Sequence, residues 1–250
     1  QMNSIQMACP SFSKFTGFVP ELQIFDLPFL FEDRDHLYKF MDSSVGQELL
    51  DMVKKQNLKG LAYWDNGFKQ ISLKNTPIRM PEDVAGKKFR IMSSKVLEEQ
   101  FKAVDASPQV LPFSEVYSAL QQGVVDGQEN TISNIYTKKF HEVQKHLSLS
   151  NHGYLGYMLV TNQMFWKKLP SDLQKTIKKC VADATEFERK AAKELNMSQL
   201  EKIRESGEVE IHELTDEQRQ AWKSEMQEIY PEFYDVIGEQ RIQKALDLAE

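Results

Sequence analysis

No stretch of about 18 consecutive apolar residues occurs, so nothing in the chain reads as a membrane-spanning helix. The motifs G-x-G-x-x-G, Walker A, H-E-x-x-H and G-x-S-x-G are also absent, which removes the usual signatures of dinucleotide binding, P-loop phosphate binding, zinc proteolysis and nucleophile-elbow hydrolysis. Cysteine is scarce. Cys9 and Cys180 are too few for a disulfide framework or a cysteine-built zinc site, and they read as buried or incidental thiols. The opening QMNSIQMACPSFSK lacks the basic and apolar regions of a signal peptide. Positive charge is in the minority, with 31 Lys and Arg against 37 Asp and Glu and a net charge of −6. A nucleic-acid partner would need a basic surface. An acidic protein still binds an anion when one buried Arg faces it. At 250 residues, 41% hydrophobic and 27% charged, the chain has the make-up of one large or two moderate globular domains.

Within those bounds the patterning is informative. Leu37, Phe40, Leu49, Leu50 and Val53 recur at roughly helical spacing. QIFDLPFLF, with Pro28, suits buried irregular chain. LKGLAYWDNG reads as a short strand closed by an Asn66-Gly67 turn. KKFRIM is a strand, followed by a helix with Val96, Leu97, Phe101 and Val104 on one face. ASPQVLPF holds a second strand. EVYSALQQ is a helix capped by Ser114 and ended by Gly123, and a third strand is expected from Val124. This alternation predicts an α/β fold with a parallel sheet and helices on its faces. GYLGYMLVTN and GEVEIHEL are further strands. Ser171/Gln174 and Thr215/Gln218 have capping-box spacing. Residues 171–205 read as one unusually long helix, a candidate for spanning two lobes.

Candidate chemistry is sparse. Among His36, His141, His146, His152 and His212, the pair His141/His146 is five apart and shares no helical face, so no metal site is expected. GVVDGQEN places Asp126 and Glu129 near each other with Gly127 between them. Either they frame a turn, or, with His152, they supply an acid and a base for chemistry on an organic acid. Arg90 lies in an apolar strand. It is a surface or structural ion-pair residue, or it is a carboxylate clamp suited to its planar fork. Ser93 and Ser94 stand at the next helix start, where free N–H groups favour anions. Phe113 packs in the core or walls a pocket. Arg90, Phe113 and Asn130 all fall near carboxyl ends of strands, where open α/β sheets bind ligands.

GKKFRIMSSKVLEEQFKAVDASPQVLPFSEVYSALQQGVVDGQEN, continued by KKFHEVQKHLSLSNHGYLGYMLVTNQMFWKKLP, resembles the central signature of the extracytoplasmic solute-binding subunits of TRAP transporters, in particular the C4-dicarboxylate-binding type. The match is collinear over nearly the whole chain. It implies a two-lobed periplasmic α/β binding protein with a hinge and a long lobe-crossing helix. Residues 1–67 with 156–195 would form lobe I, and 68–155 with 196–250 lobe II. It implies a monomer with no catalytic residue, cofactor or metal, delivering succinate, malate or fumarate to the membrane subunits of a Na+-driven TRAP transporter. A sugar acid or other carboxylate as ligand, or an organic-acid sensor, are the alternatives. By resemblance, Arg90 is the carboxylate-binding residue, Asn130 a polar ligand contact, Phe113 the pocket aromatic and Ser93 a polar pocket position. His152 lies near the site. Lys69 stands where many relatives carry a basic residue, often Arg, so a bidentate contact there is weakened. Relatives have a signal peptide in the precursor and a first strand–helix–strand unit before the segment matching ACPSFSK. The resemblance therefore implies that this N-terminal unit is missing here.

Overall fold

The computed structural model describes residues 4–249. Seven strands are present among them: β1 Met7–Ala8, β2 Leu58–Leu73, β3 Lys88–Ile91, β4 Ser107–Val110, β5 Gly127–Thr131, β6 His146–Asn162 and β7 Glu210–Glu213. They form one sheet in the order β1-β6-β2-β5-β3-β4, with β7 beside β6. The strand–helix–strand stretch behaves as its alternation predicts, because β3 pairs in parallel with both β4 and β5. The whole sheet is mixed, since β2 is antiparallel to β5 and to β6.

The two long strands organise the molecule. Tyr63 of β2 and Tyr154, Met158 and Val160 of β6 belong to one hydrophobic cluster, built mainly from residues 12–53. Ile71 and Leu73 of the same β2 belong to a second cluster, with Phe89, Ile91, Leu97, Phe101 and Trp222. Leu147 of β6 belongs to a third, with Val116, Leu120, Ile135 and Ile203. One continuous β2–β6 ribbon thus passes from one packed body into another. Each fully buried apolar side chain in these bodies contributes about 1.5–3 kcal/mol. Ile229, Tyr230, Phe233, Ile237, Ile242 and Ala245 pack in the first cluster, although the lobe boundaries drawn from sequence put 196–250 with the second body.

Asn66-Gly67 is not a turn. β2 runs straight through it, with a register shift between Asp65 and Gly67. Asn66 is a junction: its Oδ1 accepts from Ser133 Oγ at 2.9 Å and its carbonyl accepts from Asn196 Nδ2 at 2.6 Å. The first bond ties β2 to the short helix Ile132–Thr137, and the second to the long helix Ser171–Ser206, which forms as its sequence predicts. The Thr215/Gln218 capping box is present. Ser171 is not a cap, because the helix follows Pro170 and the Gln174 amide donates to the Trp166 and Leu169 carbonyls. Ser114 is not a cap either, since a short 3-10 turn, Phe113–Glu115, leads into the helix Val116–Gln122. Gly123 does end that helix, in the left-handed region at φ 73°. The expected strand starts later than Val124, which is exposed. At Gly127, where it does start, a Cβ would lie 2.4 Å from the Ser72 carbonyl oxygen, so only glycine lets β5 approach β2 so closely.

Candidate functional site

The parallel strands deliver their ends to one place. Arg90 is the third residue of β3, Phe113 follows β4 by three residues, and Asn130 is next to last in β5. All three, with Ser93, line a single cavity of about 420 Å³, within the usual range of small-molecule sites, roughly 300–1,000 Å³. The far wall comes from the other packed body: Ser11, Lys14, Leu155 and Tyr157. The cavity therefore lies between the two bodies, at the strand ends.

Arg90 is 3% exposed. Its Nε and Nη2 both donate to the Leu111 carbonyl, at 3.1 and 2.9 Å. Leu111 precedes Pro112, which restricts its backbone and holds that carbonyl in place. One edge of the guanidinium is thus anchored to the chain. The other edge is not: Nη1 is buried and has no hydrogen-bond partner. Burial lowers the Arg90 pKa, and the charge of Glu129 partly offsets this. An unpaired buried cation is costly, and a carboxylate placed against its open fork removes that cost. The Phe113 ring, 38% exposed, lies 5.8 Å from the guanidinium carbon and closes one side. Asn130 Oδ1 accepts from Asn134 Nδ2 at 2.7 Å and from the Thr131 amide at 3.2 Å. With its oxygen so occupied, the Asn130 amide nitrogen is the group left to donate.

Lys69 and His152 are not in this lining. They form a buried network with Glu129 beneath it. Lys69 Nζ is 2.7 Å from Glu129 Oε2, His152 Nε2 is 3.1 Å from the same oxygen, and Ser150 Oγ is 2.8 Å from His152 Nδ1. Gly153 makes room for the lysine stem, since a Cβ there would lie 3.0 Å from Lys69 Cε. Burial alone would push the Glu129 carboxyl up, but Lys69 and His152 outweigh it and hold it well below the usual carboxylate range. Burial lowers the His152 pKa, and the hydrogen bond and charge of Glu129 offset part of this. Glu129 and its partners thus balance charge under the site. Asp126 is structural too, accepting the Lys88 amide at 2.8 Å.

Sequence reasoning missed Lys14, Tyr157 and Asn134. Lys14 sits in the short 3-10 turn Phe12–Lys14, where no periodicity marks it. Tyr157 lies in the aromatic run of β6, where it reads as core. Asn134 follows Asn130 by four residues and was visible only as its neighbour on the chain.

A second buried carboxylate makes a pH prediction. Asp26 is buried, and desolvation first, eased by Lys69, raises its pKa from 3.8 to about 6. A raised folded-state pKa contributes stability at low pH that is lost as pH rises through it. Asp26→Asn removes that loss. Its stability relative to wild type is expected to rise between pH 4 and pH 6 and then level off, at about 3 kcal/mol. Urea melts of both proteins from pH 4 to 8 check this, and a pH-independent difference would refute it.

Two bodies joined by a continuous ribbon, with a cavity between them, are the architecture of a solute-binding protein. The chain matches bacterial extracellular solute-binding protein family 7, DctP, over residues 1–236, and it belongs to that family. It is 45% identical over 243 residues to the C4-dicarboxylate-binding periplasmic protein DctP of Rhodobacter capsulatus, covering 97% of this chain and 73% of that one. A TRAP periplasmic solute-binding protein from Sulfurospirillum deleyianum, solved with bound succinate, superposes with a TM-score of 0.94 at 57% identity, covering 99% of this chain and 81% of that one. A second, from Shewanella oneidensis and also with bound succinate, gives 0.96 at 42% identity, covering 100% and 81%.

Proposed function

We propose that this protein binds a C4-dicarboxylate, such as succinate, malate or fumarate, in the periplasm and presents it to the membrane subunits of a Na+-driven TRAP transporter. The observation that carries the reading is the buried, unpartnered Nη1 of Arg90 on the wall of the cavity. One ligand carboxylate takes that fork in bidentate fashion. Lys14, exposed at the opposite wall, supplies a second positive charge for the other carboxylate. Met92, Val110, Leu111, Phe113 and Leu155 line much of what is left. Those apolar groups suit a short carbon chain better than a polyhydroxylated sugar acid, the ligand type of a galactonate-bound relative at 33% identity.

The protein acts as a monomer and without turnover. Among the described residues no acid–base pair lines the cavity: Glu129 and His152 are committed to Lys69 and to each other. Closure brings together lobe I, residues 1–67 with 156–195 and the C-terminal stretch from 229, and lobe II, residues 68–155 with 196–228. The C-terminal assignment follows the packing of Ile229 through Ala245.

A panel of succinate, L-malate, fumarate, galactonate and glucuronate tests the reading by thermal shift, because a ligand that binds the native state raises Tm by mass action. The dicarboxylates are expected to raise Tm and the sugar acids to leave it unchanged. A shift with galactonate alone would overturn the ligand assignment, and NMR-detected conversion of malate would overturn the non-catalytic one. Lys14→Ala is expected to weaken succinate about tenfold or more without lowering Tm of the unliganded protein.

A further inference from the structure

We propose that His146, Glu210 and His212 form a transition-metal site, of the type that takes Zn2+, on the β6–β7 strand pair. Strand register creates it. His146 is the cross-strand partner of Glu210, and Ser148 of His212. Side chains two apart on a strand share a face, so Glu210 and His212 flank His146 on one side of the sheet. His146, five residues from His141, could not be assigned to a site by spacing. Its partners are more than sixty residues away.

The donor atoms are spaced for one ion. Zn–N and Zn–O bonds of about 2.0–2.2 Å at tetrahedral angles put neighbouring ligand atoms roughly 3.3–3.6 Å apart. His146 Nδ1 is 3.3 Å from His212 Nε2 and 3.4 Å from Glu210 Oε2, and His212 Nε2 is 3.8 Å from Glu210 Oε1. All three ligand atoms fall within 4.8 Å of one another. Two imidazoles and one carboxylate form three corners of a tetrahedron, and water takes the fourth. Imidazole donors favour Zn2+, Cu2+ or Ni2+ over Mg2+ or Ca2+. His212 is buried and Glu210 is exposed, so the site has a fixed floor and an open entry. Arg79 acts on His212 with like charge and weighs against a cation, while the Glu210 carboxylate acts in the opposite sense.

None of the three residues lines the ligand cavity. The site is therefore a clip. β7 pairs with β6 alone, and a bound metal would fasten it there, at the point where the chain returns from the long helix.

The test titrates EDTA-treated, dialysed full chain with ZnCl2 by calorimetry, alongside His146→Gln, His212→Gln and the double variant. One equivalent is expected to bind to the wild type. Each single variant is expected to bind at least about tenfold more weakly, the loss that even supporting residues of metal sites typically cause. Succinate affinity should be unchanged in all of them. Unchanged Zn2+ affinity in the double variant, or no saturable binding to the wild type, overturns the proposal. Should a variant fold poorly, imidazole 15N chemical shifts of the wild type decide instead. Addition of ZnCl2 is expected to move the His146 and His212 signals, and movement confined to other histidines refutes the site.

Discussion

Arg90→Ala is expected to abolish measurable dicarboxylate binding while the protein still folds. A ligand carboxylate enclosed against the guanidinium forms a buried charge pair, and removing one partner of such a pair costs about 3–5 kcal/mol, or roughly 100- to 5000-fold in affinity. The cost comes mostly from stranding the other charge in a place without water. The fold should survive because Arg90 makes no ion pair of its own among the described residues. Its hydrogen bonds among the described residues run to the Leu111 carbonyl, and truncation also removes a buried donor that has no partner there. Arg90→Lys sharpens the claim. An ammonium has three point donors but no planar fork, so it cannot offer a carboxylate a paired N–H edge while reaching the Leu111 carbonyl, and it too should bind at least about tenfold more weakly despite keeping its charge. Calorimetry with succinate checks both variants, with circular dichroism to verify folding. Wild-type affinity in Arg90→Ala would remove Arg90 from the site.

What could be read in advance divides along physical lines. Arg90, Phe113 and Asn130 were legible because each follows from local pattern plus one rule of topology: parallel strands end at a common edge, and ligands bind there. The long helix was legible because 36 residues without a break leave little else to form. β2 was misread because Asn66-Gly67 is a strong turn signal locally. The paired β6 and the tertiary bonds of Asn66 convert it into a bulge. The two capping serines were misread for a related reason: Pro170 and the 3-10 turn before Val116 set those helix starts first. Lys14 and Tyr157 were not legible at all as cavity-lining residues. Their positions depend on how one packed body faces the other, and no short window of sequence encodes that.

The same distinction governs Lys69 and His152. Resemblance placed them at the site, and they do lie close to it, but the ligand they hold is the protein's own carboxylate. Burying Glu129 requires a cation, and Lys69 provides it at 1% exposure. Glu129 in turn acts favourably on the charge of Arg90. The site thus keeps one cation free by satisfying the other internally. In the proposed binding mode a ligand carboxylate completes the count on the cavity side, as Glu129 does on the core side.

Glu129→Gln breaks that arrangement from beneath and should be the most destabilising single change near the site. It leaves Lys69 charged, buried and facing a neutral amide, a loss of about 3–5 kcal/mol. The pH dependence follows from the lowered Glu129 pKa. Such a group contributes stability that is present above its unfolded value, near 4.5, and is lost as pH falls through its folded value, about 2. The gap between wild type and Glu129→Gln should therefore be full at pH 7 and narrow steadily below about pH 4.5. The double variant Glu129→Gln with Lys69→Met removes both charges, and a core without the pair should recover most of the loss, since well-packed apolar replacements of buried pairs are often neutral. Urea unfolding of wild type, Glu129→Gln, Lys69→Met and the double variant at pH 7 and pH 4 gives the coupling energy directly. A coupling near zero would mean that Lys69 and Glu129 do not depend on each other, and the charge balance beneath Arg90 would have to come from another group.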